Sequence, residues 1–124
     1  MSTEQLRGAG PMGPIGVISV ADLAAIVARE PATQVIDVRT PEEFAEVRAA
    51  TAVNLPLDRI SPEAVAALGA SNTAQPIYLI CRSGARSMRA AEFLRAAGYA
   101  KLWNVAGGTL AWCAEGLPTK ADAP

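Results

Sequence analysis

At 124 residues, with 51% hydrophobic side chains, the chain has the length and composition of one soluble domain with a real core. Its formal charge of -1 leaves no broad field to attract nucleic acid or an anionic membrane, so an anion site has to be local. Two cysteines and no histidine exclude a disulfide framework, the common metal-ligand spacings and the histidine partner of cysteine proteases.

Taken in chain order, residues 1–16 are rich in glycine and proline and read as a flexible arm. Ser19-Val-Ala-Asp22 fits a capping box, and Leu23, Ile26 and Val27 give Ala21 to Arg29 an amphipathic helical pattern. Gln34 to Val38 is the first strand. Pro41-Glu-Glu43-Phe44 opens a short helix with proline and acids in its first turn, Phe44 and Val47 lying on the buried side. A strand at Ala52 to Leu55 follows, and Ser61-Pro62-Glu63 caps a helix through Leu68.

The apolar run Ile77 to Ile80 reads as a buried strand, followed by a polar, glycine-containing loop and a helix from Ser87 to Ala97. Ala90, Leu94 and Ala97 form its expected buried stripe, and Arg89, Glu92 and Arg95 its wet face. Leu102 to Val105 is a last strand and Thr109 to Glu115 a last helix, stopped by Gly116-Leu-Pro118. Alternating short strands and helices predict an α/β domain with a mostly parallel sheet and helices on both faces. The expected organisation is an arm at 1–16, a domain at 17–118 and a polar tail at 119–124. No apolar stretch is long enough to span a bilayer and the N-terminus lacks signal-peptide character, so a cytoplasmic setting is expected.

Cys81 stands where the central strand gives way to the loop. In a parallel sheet that is the side on which ligands bind, and a loop entering a helix points its amides at an anion there. Arg82 and Arg86 add positive charge, which favours a thiolate. Gly84 gives the loop backbone freedom, while Ser83 and Ser87 are small hydroxyl donors.

Cys81-Arg-Ser-Gly-Ala-Arg86-Ser87 resembles the active-site loop of the rhodanese, or sulfurtransferase, family. Val35-Ile-Asp37-Val-Arg39-Thr-Pro41-Glu-Glu43-Phe44, Asn54-Leu-Pro56, and Asn104-Val-Ala-Gly107-Gly108-Thr-Leu-Ala-Trp112 agree with that family in order and spacing. The resemblance implies a rhodanese-like fold with a central, mostly parallel five-stranded sheet. It also implies a Cys81 nucleophile that takes a sulfane sulfur from thiosulfate or a persulfide donor and passes it to cyanide or a thiol. Arg82, Ser83, Gly84, Ala85 and Arg86 would bind the small anionic donor. Asp37 and Arg39 are read as an ion-pair network supporting the loop, with Ser87 in the same supporting position. No cofactor or metal is implied, and no nucleic-acid or membrane partner; a protein partner is left open.

Two other readings remain. Rhodanese-like phosphatases and arsenate reductases have one more residue between cysteine and arginine, and other relatives are non-catalytic binding modules. Arg48 and Thr51 replace a usual histidine and glycine, which puts the local loop conformation in question. Gly107 and Gly108 are expected to allow a close approach to the active loop. Trp103 and Trp112 are read as packing residues and Cys113 as incidental, its alternative being a resolving thiol.

Overall fold

The short apolar runs become strands whose side chains alternate between two cores, the period-two consequence of pleating. Ile77 and Leu79 pack into one core and Tyr78 and Ile80 into the other, with Ile36 and Val35 dividing in the same way. A strand buried on both faces carries no polar alternation, which is why Ile77 to Ile80 is apolar throughout. The coordinates are a computed structural model that describes residues 14–122; the expected arm falls outside this range through residue 13.

The elements are β1 (Gly16–Ile18), α1 (Val20–Arg29), β2 (Gln34–Asp37), α2 (Pro41–Glu46), β3 (Arg48–Ala49) and β4 (Val53–Asn54). A 3-10 turn (Leu57–Arg59) then leads to α3 (Pro62–Ala67), β5 (Ile77–Ile80), α4 (Ala85–Ala96), β6 (Leu102–Val105), α5 (Gly108–Ala114) and β7 (Thr119–Lys120). The main sheet has the order β1-β6-β5-β2-β4, and every pairing in it is parallel. Its fifth strand, β1, was not among the four strands read from the chain. It starts at the end of the expected arm and exists by pairing Gly16, Val17 and Ile18 with Trp103, Asn104 and Val105.

Helix boundaries follow the caps. Ser19 accepts from the Asp22 amide, Ser61 accepts from the Ala64 amide, and Thr40 and Glu43 form a reciprocal capping box around Pro41. Helix α4 departs from expectation at both ends. It begins at Ala85, two residues early, because Gly84 serves as its N-cap. Ala97 is its exposed C-cap, so the buried stripe is Ser87, Ala90, Ala91 and Leu94 instead. Arg95 is half-buried, its Nε unpartnered among the described residues, so it does not sit on a fully wet face.

The expected polar tail includes β7, antiparallel to β3. Arg48, in β3, stacks its guanidinium 4.6 Å from the Phe44 ring centroid, donates to the Phe44 carbonyl and pairs with Asp122 at 2.9 Å. The segment with the unusual arginine is thereby tied to the chain end. Trp103 stacks on Tyr78 and Trp112 is buried, its indole donating to the Pro118 carbonyl.

The sheet order fixes where a ligand belongs. From β2 the chain moves outward to β4, and from β5 it moves the other way to β6. The carboxyl ends of the neighbours β2 and β5 therefore flank a topological switch point, where outgoing connections part and leave a crevice. The residues that follow those strands include Arg39 and Cys81.

Candidate active site

Cys81 directly follows β5 and is only 1% exposed. Helix α4 has no side-chain N-cap, since Gly84 has no side chain to offer. The sulfur stands in that place: the Gly84 amide donates to Cys81 Sγ at 3.0 Å, and the Ser87 hydroxyl lies 3.2 Å from it. Free amides at a helix start need an acceptor and favour a negative one. Burial pushes the thiol up, but the Ser87 hydroxyl and the Ser87, Gly84 and Ser83 amides outweigh it and hold Cys81 below the ordinary cysteine range.

Gly84 has φ +123°, a conformation that side chains resist, so the loop needs glycine there to aim its amide at the sulfur. Gly108 meets a spatial limit as well. A Cβ there would lie 2.5 Å from the Cys81 and Arg82 carbonyl oxygens, and φ is +57°. The start of α5 thus presses directly on the loop. The Thr109 amide and hydroxyl both donate to the Cys81 carbonyl, at 2.8 and 3.0 Å, and the Leu110 amide donates to that of Arg82. The close approach expected of the two glycines belongs to Gly108.

The two loop arginines differ. Arg82 is exposed, with no carboxylate in ion-pair reach among the described residues. Arg86 is in the first turn of α4, and both of its terminal nitrogens are held by Glu43, at 2.7 and 2.9 Å. Arg86 holds the Glu43 carboxyl down at about 2, and its own pKa is raised, first by Glu43 and in smaller part by the Cys81 charge. The positive charge therefore stays near the sulfur, but its hydrogen-bonding fork faces a carboxylate. Ser83 and Ala85 are exposed on the loop, and Ser87 is buried beneath it.

Asp37 and Arg39 form a buried pair. Arg39 Nε contacts both carboxylate oxygens, Nη2 reaches Oδ2 at 2.8 Å, and Nη2 also donates to the Val47 carbonyl. Between them, the Val38 amide donates to the Ile80 carbonyl, one residue before Cys81. Asn54 Nδ2 donates to the carbonyls of both Asp37 and Arg39. The pair ties the β2 exit to the end of α2 through the Val47 carbonyl, and neither side chain hydrogen-bonds Cys81.

Two contributors were missed in the sequence. Glu43 reads in the sequence as a helix-start acid grouped with Asp37 and Arg39 in an ion-pair network, yet its partner is Arg86; no short-range pattern links residues 43 apart. Asn104 is given no role in the sequence reading beyond its place in the last strand and in the family-like stretch, but its Oδ1 lies 2.5 Å from Ser87 Oγ and its Nδ2 donates to the Gly84 carbonyl. A polar residue within an otherwise apolar strand was the available signal. Alongside lies an open groove of about 720 Å³, lined in part by Val38, Leu57, Arg59, Arg86, Arg89 and Phe93. Among the described residues no acidic or cysteine cluster could hold a metal ion, and Cys113 is an exposed free thiol.

Residues 19–115 match the family model of the rhodanese-like domain. The chain belongs to the rhodanese family. The rhodanese-like domain here is 36% identical over 86 residues to a sulfurtransferase of Allochromatium vinosum, covering 69% of this chain and 77% of that protein. It is 40% identical over 101 residues to thiosulfate sulfurtransferase 18 of Arabidopsis thaliana, covering 72% and 73%. Among solved structures, a thiosulfate sulfurtransferase from Pseudomonas aeruginosa superposes with a TM-score of 0.78 at 27% identity, over 88% of this rhodanese-like chain and 20% of that one. The Alr3790 protein from Anabaena shares the fold, with a TM-score of 0.76 at 22% identity over 86% and 94%. No helix among the described residues is long and apolar enough to cross a membrane.

Proposed function

We infer that the protein is a sulfurtransferase in which Cys81 carries sulfane sulfur as a persulfide. The observation that supports this most is that the Gly84 amide and the Ser87 hydroxyl meet on one buried sulfur at the start of a helix. Such a collar stabilises negative charge on Cys81 Sγ and, once sulfur is loaded, on its outer atom. The Cys81 thiolate attacks the outer sulfur of thiosulfate, forming a new S–S bond. The old S–S bond breaks and sulfite leaves with its electron pair. Cyanide or an acceptor thiolate then attacks the outer sulfur of the persulfide, and Cys81 departs as thiolate. Neither step needs a general base, which suits a chain without histidine.

The named relatives support the same chemistry: one is a sulfurtransferase and another a thiosulfate sulfurtransferase. Four residues between Cys81 and Arg86, rather than the five of rhodanese-like phosphatases, favour sulfur over phosphate or arsenate as the substrate. The role of Arg86 is then to supply charge beside the sulfur and to hold α4 against α2, leaving Arg82 as the loop's exposed cation.

Intact mass after incubation with thiosulfate tests the reading. A gain of one sulfur, removed by cyanide and missing in Cys81→Ser, is the expected outcome. Turnover of an aryl phosphate without sulfur loading would mark a phosphatase, and neither activity a binding module.

A further inference from the structure

Ser87 has one hydroxyl proton and three acceptors around it. Asn104 Oδ1 is 2.5 Å from its oxygen, and the Gly84 carbonyl and Cys81 Sγ are each 3.2 Å away. A hydroxyl donates to one of these at a time. The Asn104 amide is oriented by its other end: Nδ2 donates to the Gly84 carbonyl at 3.1 Å, so the atom facing Ser87 is the acceptor Oδ1. The Gly84 carbonyl is the least demanding of the three, because it already accepts from Asn104 and from the Met88 amide. The contest is between a buried asparagine and the sulfur.

We propose that Asn104 is a positioning residue that competes with Cys81 for the Ser87 hydroxyl, taking it when the sulfur is neutral and yielding it when the sulfur is a thiolate. The inference rests on Cys81 being the reacting thiol. A neutral sulfur is a weak acceptor and loses to an amide oxygen at 2.5 Å. A charged sulfur makes a hydrogen bond roughly twice as strong as a neutral one and wins. During sulfur transfer the charge leaves Sγ when the persulfide forms and returns when the acceptor removes the outer sulfur. The hydroxyl would follow it, turning to Asn104 in the loaded enzyme and back to Cys81 at release. Asn104 thereby limits how far the resting thiolate is stabilised, and a less stabilised thiolate is the better nucleophile.

The charged groups around the sulfur are Arg82 on the loop, Arg86 on α4, Glu43 on α2, and Asp37 with Arg39 at the end of β2. The groups contributed by β6 and α5, Asn104 and Thr109, are neutral. Removing the Asn104 side-chain amide leaves all of those charges in place.

The test is a double-mutant cycle read by the pH dependence of iodoacetamide alkylation at Cys81, with peptide mapping to separate it from Cys113. Asn104→Leu removes the competing acceptor, so the Cys81 midpoint should fall by about 0.5 to 1 pH unit, the equivalent of one hydrogen bond. In a Ser87→Ala background the same replacement should leave the midpoint nearly unchanged, because no hydroxyl remains to redirect. An unchanged or raised midpoint with Ser87 present, or an equal shift in both backgrounds, overturns the proposal. Should the leucine variant fail to fold, Asn104→Val, a strand-forming residue, is read in the same way. Alkylation does not depend on sulfur transfer. A protein that shows the cycle but never gains sulfur from thiosulfate contradicts the proposed function alone.

Discussion

A single atom, Cys81 Sγ, receives what most of the loop has to give, and the glycines on either side of it are what let the backbone do so. Gly84 turns its amide inward at φ +123°, and Gly108 lets α5 seat directly on the Cys81 and Arg82 carbonyls. Gly108→Ala should therefore destabilise the fold by about 2 to 4 kcal/mol, from backbone overlap and a strained φ together. Denaturant unfolding checks this, and the variant's Cys81 should alkylate more slowly at neutral pH as the collar shifts. The cysteine and its loop were legible in the sequence because the residues that form them are adjacent in the chain, and the distant glycine pair was legible through the resemblance to the rhodanese family. Glu43 and Asn104 were not, since each meets the loop only after the sheet has brought distant segments together.

At the scale of elements, two helices are joined by the Arg86–Glu43 pair, which runs from the first turn of α4 to the first turn of α2. The folded state lowers the Glu43 carboxyl from its ordinary 4.5 to about 2, with Arg86 the main cause. A depressed carboxylate stabilises the fold fully above its unfolded value and loses that contribution as pH falls through its folded value. Glu43→Gln keeps a side chain that can serve the capping box but removes the charge. It should be less stable than the parent at neutral pH by a margin that shrinks below pH 4.5 and closes near 2, as urea unfolding across that range would show. A margin independent of pH would mean that the pair contributes through packing alone. The helix starts were readable from Ser61-Pro62 and Pro41-Glu-Glu43, whose chemistry is local. The start of α4 was misplaced because its cap is a sulfur atom and a glycine, not a hydroxyl or carboxylate.

For the whole molecule, the parallel sheet decides where chemistry can occur by parting its connections between β2 and β5. The buried Asp37–Arg39 pair fixes the β2 side of that opening to the end of α2. Asp37→Ala would strand a buried guanidinium and should cost roughly 3 to 5 kcal/mol, while Asp37→Leu combined with Arg39→Met should recover much of the loss. Thermal or denaturant unfolding of the single and double variants checks it. The mostly parallel sheet and its helical layers followed from the alternation of short apolar runs with capped helices, and the count of five strands from the resemblance to the rhodanese family. Strand β1 did not, because three residues beside a proline and several glycines carry little signal until β6 offers them an edge. The β3–β7 ribbon was hidden for the same reason, as Thr119 and Lys120 are exposed polar residues whose strand character comes only from their partners.

The stabilised Cys81 thiolate is tested most directly by the rate of its alkylation as a function of pH. An ionisation midpoint below the value of about 8.5 for an unperturbed cysteine is expected, and it should rise in Ser87→Ala. A midpoint at or above that value, unmoved by loss of Ser87, would contradict the collar of amides and hydroxyl around the sulfur.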